Sequence, residues 1–590
     1  MIPIIPIDPS ITLVHQFLER SARLYPDKVA IVHGKVRATY SEINTRADNL
    51  ASYLLSIGTQ KGDRIALLME NCVEYVISYY GIMKAGAVAV PLNSDLKPEG
   101  LRYAIEDLEA KILISSKRFH KLISASNLHD LGLTHLIMTG LSHSMTQRLK
   151  DSTEVSSRDL TAYSLQLTIV SFDSVSSPSA SSSLLPSSLF PLPSVSFDSV
   201  ALSSPISCEL SAVSYDTSVS SPQLSALSSQ LRDSDLASII YTSGSTGGPK
   251  GVMLTHRNIV DNVSSICQYL HLTDKDIQMC VLPFFYVMGK SLLNTHLAIG
   301  GTVVINNQFA FPASVLKEMI TEKVTGFSGV PSTFAYLLHR SPLASSRDKL
   351  TSLRYVSQAG GHMSRAIKEE LRKVLPAHTE IVVMYGATEA GARLSYLEPS
   401  RFADKMESIG KAIPGVELKV LDDKGKAAAI NEVGELVARG SNIMPGYWRK
   451  PEVTDIALVN GWYHTGDQAY MDDEGFFFVV GRQDDLLKVG GHRLSPVEIE
   501  DVLMESGLFV EAVVLGVPDE LLGNRLAVLA VPSNNGCNED TVLGYCANRL
   551  PKYKVPAEAR FAKNLPKKVS GKIDRKSCLA LYQQLAADRV

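Results

Sequence analysis

The stretch Tyr241-Thr-Ser-Gly-Ser-Thr-Gly-Gly-Pro-Lys-Gly-Val252 organises the reading of the whole chain. An apolar run, Leu236-Ala-Ser-Ile-Ile240, reads as a short buried strand entering it. Glycines then interleave with Ser and Thr hydroxyls, Lys250 stands near the end, and a new apolar segment follows. Glycine tolerates positive φ, so successive N–H groups can converge on one anion. Hydroxyls add donors and Lys250 a point charge, which is the chemistry of a phosphate-holding loop. A flexible Gly/Ser connector is the plainer alternative. The Walker A spacing is absent, because Pro249 precedes Lys250 and Gly251 follows it.

At 590 residues the chain exceeds one hydrophobic core and implies two or more domains. Its 58 Lys+Arg against 61 Asp+Glu leave a net charge of −3, which gives no basis for a nucleic-acid partner. Seven cysteines are scattered without a C-x-x-C pair, arguing against a disulfide framework or structural zinc. The apolar start, Met1-Ile-Pro-Ile-Ile-Pro-Ile7, is short, proline-broken and without a basic flank, so it is not read as a signal peptide. No apolar stretch is long enough for a transmembrane segment. A reducing cytoplasm is the expected location.

From Leu13 to about Ile123, helical and strand patterns alternate: a helix over 13–24, a strand over 29–32, and a helix from Tyr40 with Ser41 as N-cap. Strand patterns recur at 62–68, 86–92 and 112–115, with a helix over 74–83. This alternation implies an α/β fold with mostly parallel sheets covered on both faces. Between 171 and 230 the composition turns to Ser, Leu and Pro, and Ser-Phe-Asp-Ser-Val repeats at 171–175 and 196–200. That stretch reads as a low-complexity insertion, either solvated or partly docked, and carries no assigned chemistry.

Beyond the Gly-rich loop, strand patterns at 324–330, 353–357 and 380–384 each run directly into small or polar residues. Ligands collect at the carboxyl ends of strands in open α/β sheets, so these loops should line one crevice with the Gly-rich loop. From Gly434 to Arg482 the segments become shorter and β-rich. Gln483-Asp-Asp485 reads as a polar boundary, and the remainder as a compact α+β domain with a helix over 496–505 and strands over 512–517 and 526–531.

Seven markers then stand in order: Tyr241 to Gly251; Tyr385-Gly-Ala-Thr-Glu389; Gly434-Glu-Leu; Pro445-Gly-Tyr-Trp448; Trp462-Tyr-His-Thr-Gly-Asp467; Gly481-Arg482; and Pro566-Lys-Lys-Val-Ser-Gly-Lys572. Together they resemble the AMP-dependent, adenylate-forming synthetase/ligase superfamily, which includes acyl-CoA synthetases, nonribosomal-peptide adenylation domains and firefly-type luciferases. The resemblance covers nearly the whole chain apart from the insertion. It implies a large N-terminal adenylation domain (1–482) with a β-rich subdomain, a hinge (483–485) and a small mobile C-terminal domain (486–590). The implied enzyme is an AMP-forming ligase that joins a carboxylic acid to ATP, releases pyrophosphate, and passes the acyl group to CoA.

The same resemblance implies residue roles. Thr242, Ser243, Gly244, Ser245, Thr246, Gly247 and Lys250 would hold the β- and γ-phosphates. Thr388 would contact the α-phosphate and Glu389 would ligate Mg²⁺, a hard cation suited to oxygen. Gly360, Gly361, Tyr385 and Gly386 would form the adenine slot, while Asp467 and Arg482 would hold the ribose. Lys572 would stabilise the adenylation transition state. Rotation at Asp484 would exchange it for the face bearing Lys488.

The acid is less legible. Acyl-CoA synthetases commonly carry His after a segment like Leu282-Pro-Phe-Phe285, and amino-acid adenylation domains carry Asp; here Tyr286 stands instead. Tyr286 either fills the same space and donates one hydrogen bond or is a core aromatic. The other pocket candidates are Met288, Gly289, Val330, Gln358, His362, Met384 and Ala392, a mainly apolar set pointing to a fatty or aryl acid. Lys290 and Arg393, close by, leave room for a second acidic group on the substrate but are expected to face solvent. The alternative acceptor is the phosphopantetheine of a separate acyl carrier protein. A non-catalytic or oxygen-dependent relative is the third reading, disfavoured by retention of Lys572, Glu389 and Asp467.

Overall fold

A computed structural model describes residues 7–139, 166–170, 211–213, 229–243, 249–482, 487–489, 492–519, 523–533, 537–568 and 571–587. Of the 171–230 insertion, only 211–213 and 229–230 are among them. Asp484, Gly244, Ser245, Thr246 and Gly247 lie outside the described residues. The chain divides into two units: Met1–Asp63 with Met69–Asp95 and Val219–Val590, and Arg64–Leu68 with Leu96–Ser218. In the smaller unit, strands Arg64–Leu68, Ile112–Ser116, His135–Thr139, Gln166–Val170 and Ser211–Val213 pair in parallel in that order.

The larger unit is built on a nine-stranded sheet. Its order is Lys411–Ala412, Ser395–Leu397, Glu380–Tyr385, Tyr355–Gln358, Gly326–Gly329, Ile277–Cys280, Thr302–Ile305, Val29–His33 and Val36–Thr39. The six central strands, from Glu380–Tyr385 through Val29–His33, run parallel, and the pairs toward both edges are antiparallel. Four of those six, at 277–280, 302–305, 326–329 and 355–358, are buried or nearly so along their whole length, as a sheet covered on both faces requires. The strands ending at Gly329, Gln358 and Tyr385 point their carboxyl ends the same way, so their loops converge.

Two local expectations change. The helix Tyr40–Ser56 is capped by Thr39, whose hydroxyl accepts from Glu42 N–H while Glu42 returns a bond to Thr39 N–H; Ser41 lies inside the helix. The Gly-rich stretch is largely strand. Strand Leu236–Ser243 takes in Tyr241-Thr-Ser243 and pairs antiparallel with Pro249–Thr255, bringing Lys250 opposite Thr242. Only 244–248 separate the two strands.

Strands Val416–Leu421, Gly434–Gly440, Leu458–Val459, Trp462–Met471 and Phe477–Arg482 form the β-rich part. After it, Phe509–Asp519, Gly523–Pro532 and Glu558–Phe561 form a three-stranded sheet. Strand side chains alternate between faces. Val513, Leu515 and Val517 therefore pack with Cys578 and Tyr582 of helix Arg575–Ala587. Ala512 and Val514 meet Ile499 and Leu503 of helix Pro496–Glu505. Burial on both faces explains why these strands read as unbroken apolar runs.

Candidate active site

All the described candidates lie in the larger unit. At the hairpin, Thr242 Oγ1 donates to Lys250 O at 3.4 Å, and Lys250 Nζ stands 5.4 Å from the Tyr447 ring centre. The 446–448 segment runs along the hairpin's free edge: Met253 N–H donates to Gly446 O at 3.1 Å and Trp448 N–H to Gly251 O at 2.7 Å. Tyr447 then turns its hydroxyl to Glu389 Oε1 at 2.8 Å. This accounts for the Pro445-Gly-Tyr-Trp448 marker, since it ties the hairpin to the 385–393 loop.

That loop follows the Glu380–Tyr385 strand and contains a 3₁₀ turn, Thr388–Ala390. Gly386 is obligatory there: a Cβ on it would lie 2.0 Å from Ala392 O. Asn442 Nδ2 donates to Ala390 O at 2.9 Å and Arg393 O at 3.0 Å, and Asn262 Nδ2 to Arg393 O at 2.9 Å. Three side-chain amide bonds thus hold the shape that presents Thr388 and Glu389, and neither asparagine stood out in the sequence.

Asp467 comes from strand Trp462–Met471 and is 8% exposed. One of its oxygens accepts from Arg482 Nε at 2.9 Å and the other from Tyr385 Oη. Arg482 lies directly across the strand pair, in register with Asp467. Glu435 of the Gly434-Glu-Leu marker accepts from Gly466 N–H at 3.2 Å and bonds His464 Nδ1 at 2.8 Å, fixing the turn before Asp467. The carboxylate is thereby aimed by neighbours on three elements, the arrangement a diol-binding group needs.

Lys572 enters from the C-terminal region. A Cβ built on Gly360, at φ +84°, would lie 3.4 Å from Lys572 Cε and 4.0 Å from its Nζ, so the glycine leaves the space the lysine crosses. Burial, then the Arg482 cation, push the Lys572 amine below its usual range, while Asp467 and Glu389 pull it back. Phosphate oxygens arriving there would supply the missing counter-charge. Lys488 sits in strand Leu487–Val489, paired with Arg493 of the neighbouring strand.

Among the acid-pocket candidates, Met288, Val330, Gln358, Met384 and Ala392 are buried, and Tyr286 is half-buried beside Phe285 with ring centres 4.4 Å apart. Gln358 Nε2 donates to Gly361 O at 2.6 Å. Three placements differ from the sequence reading. His362 is exposed and bonds Asp501 Oδ1 at 2.8 Å, because the loop carries it outward toward helix Pro496–Glu505. Gly289 faces backbone: its Cβ would meet Pro283 O at 2.3 Å. Lys290 and Arg393, expected in solvent, are each 3% exposed. Lys290 Nζ donates to Tyr75 Oη and stacks 3.6 Å from the Tyr79 ring centre, where burial drives its amine well below the usual range.

The chain matches the AMP-binding enzyme family over residues 18–448 and the AMP-binding enzyme C-terminal domain over 498–572. The chain belongs to the AMP-binding enzyme family. A long-chain-fatty-acid–CoA ligase of Bacillus subtilis is 30% identical over 573 residues, covering 96% of this chain and 94% of that one. An oxalate–CoA ligase of Arabidopsis thaliana is 29% identical, covering 95% and 96%. A crystal structure of an anthranilate CoA ligase with anthranoyl-AMP superposes with a TM-score of 0.78 at 23% identity, covering 98% of each chain, and shows the shared fold. Family membership brings the chemistry with it: ATP-dependent acid activation through acyl-AMP and ligation to CoA. Among the described residues, no helix is long and apolar enough to cross a membrane.

Proposed function

We propose that this AMP-forming ligase activates a fatty or aryl acid, using Lys572 for the first step and the opposite face of its C-terminal domain for the second. The observation that carries this reading is the passage of Lys572 over Gly360, beside Asp467 and Arg482. In the first step a carboxylate oxygen attacks the α-phosphorus, the bond to the β-phosphate breaks, and pyrophosphate departs. In the second, a thiol attacks the acyl carbon, AMP leaves with the bonding pair, and the thiol proton is lost. Phosphoryl transfer needs alignment and charge stabilisation, which a single well-placed ammonium group supplies.

Residues 242–250 grip the pyrophosphate, Tyr385 and Gly386 with Gly360 and Gly361 flank adenine, and Asp467 with Arg482 hold the ribose. Glu389 fits a Mg²⁺ carried mainly by nucleotide phosphates. Such an ion takes one or two carboxylates from the protein, and among the described residues there is no cluster of three potential ligands. When bound, the ion would neutralise phosphate charge; Tyr447 orients the carboxylate that would hold it. The mainly apolar lining supports a fatty or aryl acid. A reducing cytoplasm fits the six described cysteines, all free.

Pyrophosphate release across a panel of acids, with and without CoA, tests the reading. Acid-dependent release with CoA-ester product is expected. Release without any CoA ester would instead favour the carrier protein as acceptor. Lys572→Ala should lower acid-dependent ATP–pyrophosphate exchange at least a hundredfold while leaving thioester formation from supplied acyl-AMP within a few-fold. Equal loss in both steps would contradict the role given to Lys572.

A further inference from the structure

Helix Pro331–His339 starts where the Gly326–Gly329 strand enters the site. Thr333, Phe334, Ala335 and Leu337 face the core. On its other side, Ser332, Tyr336 and Arg340 follow at four-residue spacing, which places them in one row. Each meets a successive position of the segment leading to Lys572. Ser332 Oγ donates to Gly571 O at 2.6 Å, Lys567 Nζ to Tyr336 Oη at 2.6 Å, and Arg340 Nη2 to Asn564 Oδ1 at 2.8 Å. Tyr336 also presents its ring to both cations, with Arg340 Cζ at 4.2 Å and Lys567 Nζ at 4.4 Å from its centre. Lys567 is completed by Glu511 at 2.7 Å, itself 5% exposed.

The described residues on either side of the turn are tied to one another. Lys568 N–H donates to Lys572 O and Gly571 N–H to Lys568 O, both at 2.8 Å, and Lys567 pairs with Ile573. Gly571 adopts φ +78°, and a Cβ on it would lie 2.8 Å from Val330 Cγ2 and 3.3 Å from Ser332 Oγ. Anchors at Asn564, Lys567 and Gly571 along one helix leave little freedom to Lys572, the residue that follows the last of them.

We infer that Ser332, Tyr336 and Arg340 form a docking rail that positions Lys572 for the adenylation half-reaction and is disengaged when the thiol reacts. The proposal rests on the role given to Lys572 above. These are positioning residues: the row touches the loop, and the loop delivers the amine. Because the contacts hold only one arrangement of the C-terminal domain, their loss should slow the first half-reaction and spare the second.

The test uses the full-length enzyme carrying S332A, Y336A and R340A together, with Y336F alone as a milder probe. ATP–pyrophosphate exchange is measured with an accepted acid, and thioester formation with CoA and the corresponding synthetic acyl-AMP. The triple variant should lose tenfold or more in kcat for exchange, with KM for ATP within twofold. Its thioester rate should be unchanged or raised, and its thermal midpoint close to that of the parent. Y336F, which keeps the ring and loses the hydroxyl, should lose a few-fold. Unchanged exchange in the triple variant, or parallel loss of both half-reactions, would overturn the rail while leaving Lys572 in place. If Lys572→Ala itself leaves exchange intact, the role of Lys572 falls and the rail falls with it.

Discussion

Lys290 shows how a single charge can mislead and then inform. In the sequence a lysine beside an apolar pocket reads as solvated; in the fold it lies among Tyr75, Tyr79 and Asn294. Burial alone pushes its amine well below the usual range. The unfolded chain keeps that proton up to about pH 10.4, so above the depressed folded value unfolding takes up a proton, and stability rises with pH until the unfolded lysine also titrates. Lys290→Met should therefore raise the thermal midpoint at pH 7 and flatten its rise between pH 7 and 10. Calorimetry across that range checks it, and an unchanged slope would show the amine to be charged in the fold. Tyr75 would not be orphaned, since its hydroxyl also donates to Phe284 O at 3.1 Å.

The elements that carry the site were legible to different degrees, for physical reasons. The parallel strands announced themselves because burial on both faces demands continuous apolar runs. The hairpin around Lys250 was harder, since its glycines and hydroxyls suggest a loop while the backbone extends through Tyr241 to Ser243. The supports of the 385–393 loop were invisible, because Asn262 and Asn442 act across 131 and 49 residues. The rail contacts span 239, 231 and 224 residues, beyond any local pattern. Gly386 gives the sharpest test at this scale. Alanine there puts a methyl 2.0 Å from Ala392 O, so the loop must reshape. Gly386→Ala should cost on the order of 1–3 kcal/mol, as overpacking does, and abolish detectable ATP binding in titration calorimetry. Normal binding would mean the loop can yield without cost.

At the scale of the whole molecule, the ordered markers were enough to recognise an adenylate-forming enzyme, and the family match and relatives agree. The identity of the acid was not, because the candidate residues are scattered from Tyr286 to Ala392 and their mutual packing is not displayed by one sequence. A second global property follows from buried histidines. His15 and His256 are pushed down to about 3 and His296 to about 4, chiefly by burial. His256 Nδ1 accepts from Val14 N–H at 3.0 Å, a bond only a neutral nitrogen can make. Below about pH 6.5 the unfolded chain takes up protons that the fold refuses, so stability is present above that pH and lost as pH falls toward 3. The thermal midpoint should drop steadily from pH 7 to 5, and His256→Gln should lessen the drop. A flat profile would count against neutral burial.

The 446–448 segment beside the hairpin has one more consequence. Consecutive residues clasp Gly251 on the hairpin and Glu389 on the neighbouring loop. The hairpin and the 385–393 loop are therefore bolted to a common bar, and neither can swing open alone. On the proposed function, pyrophosphate would leave between walls that keep their spacing, so its departure would be an event of the doorway and not of the walls.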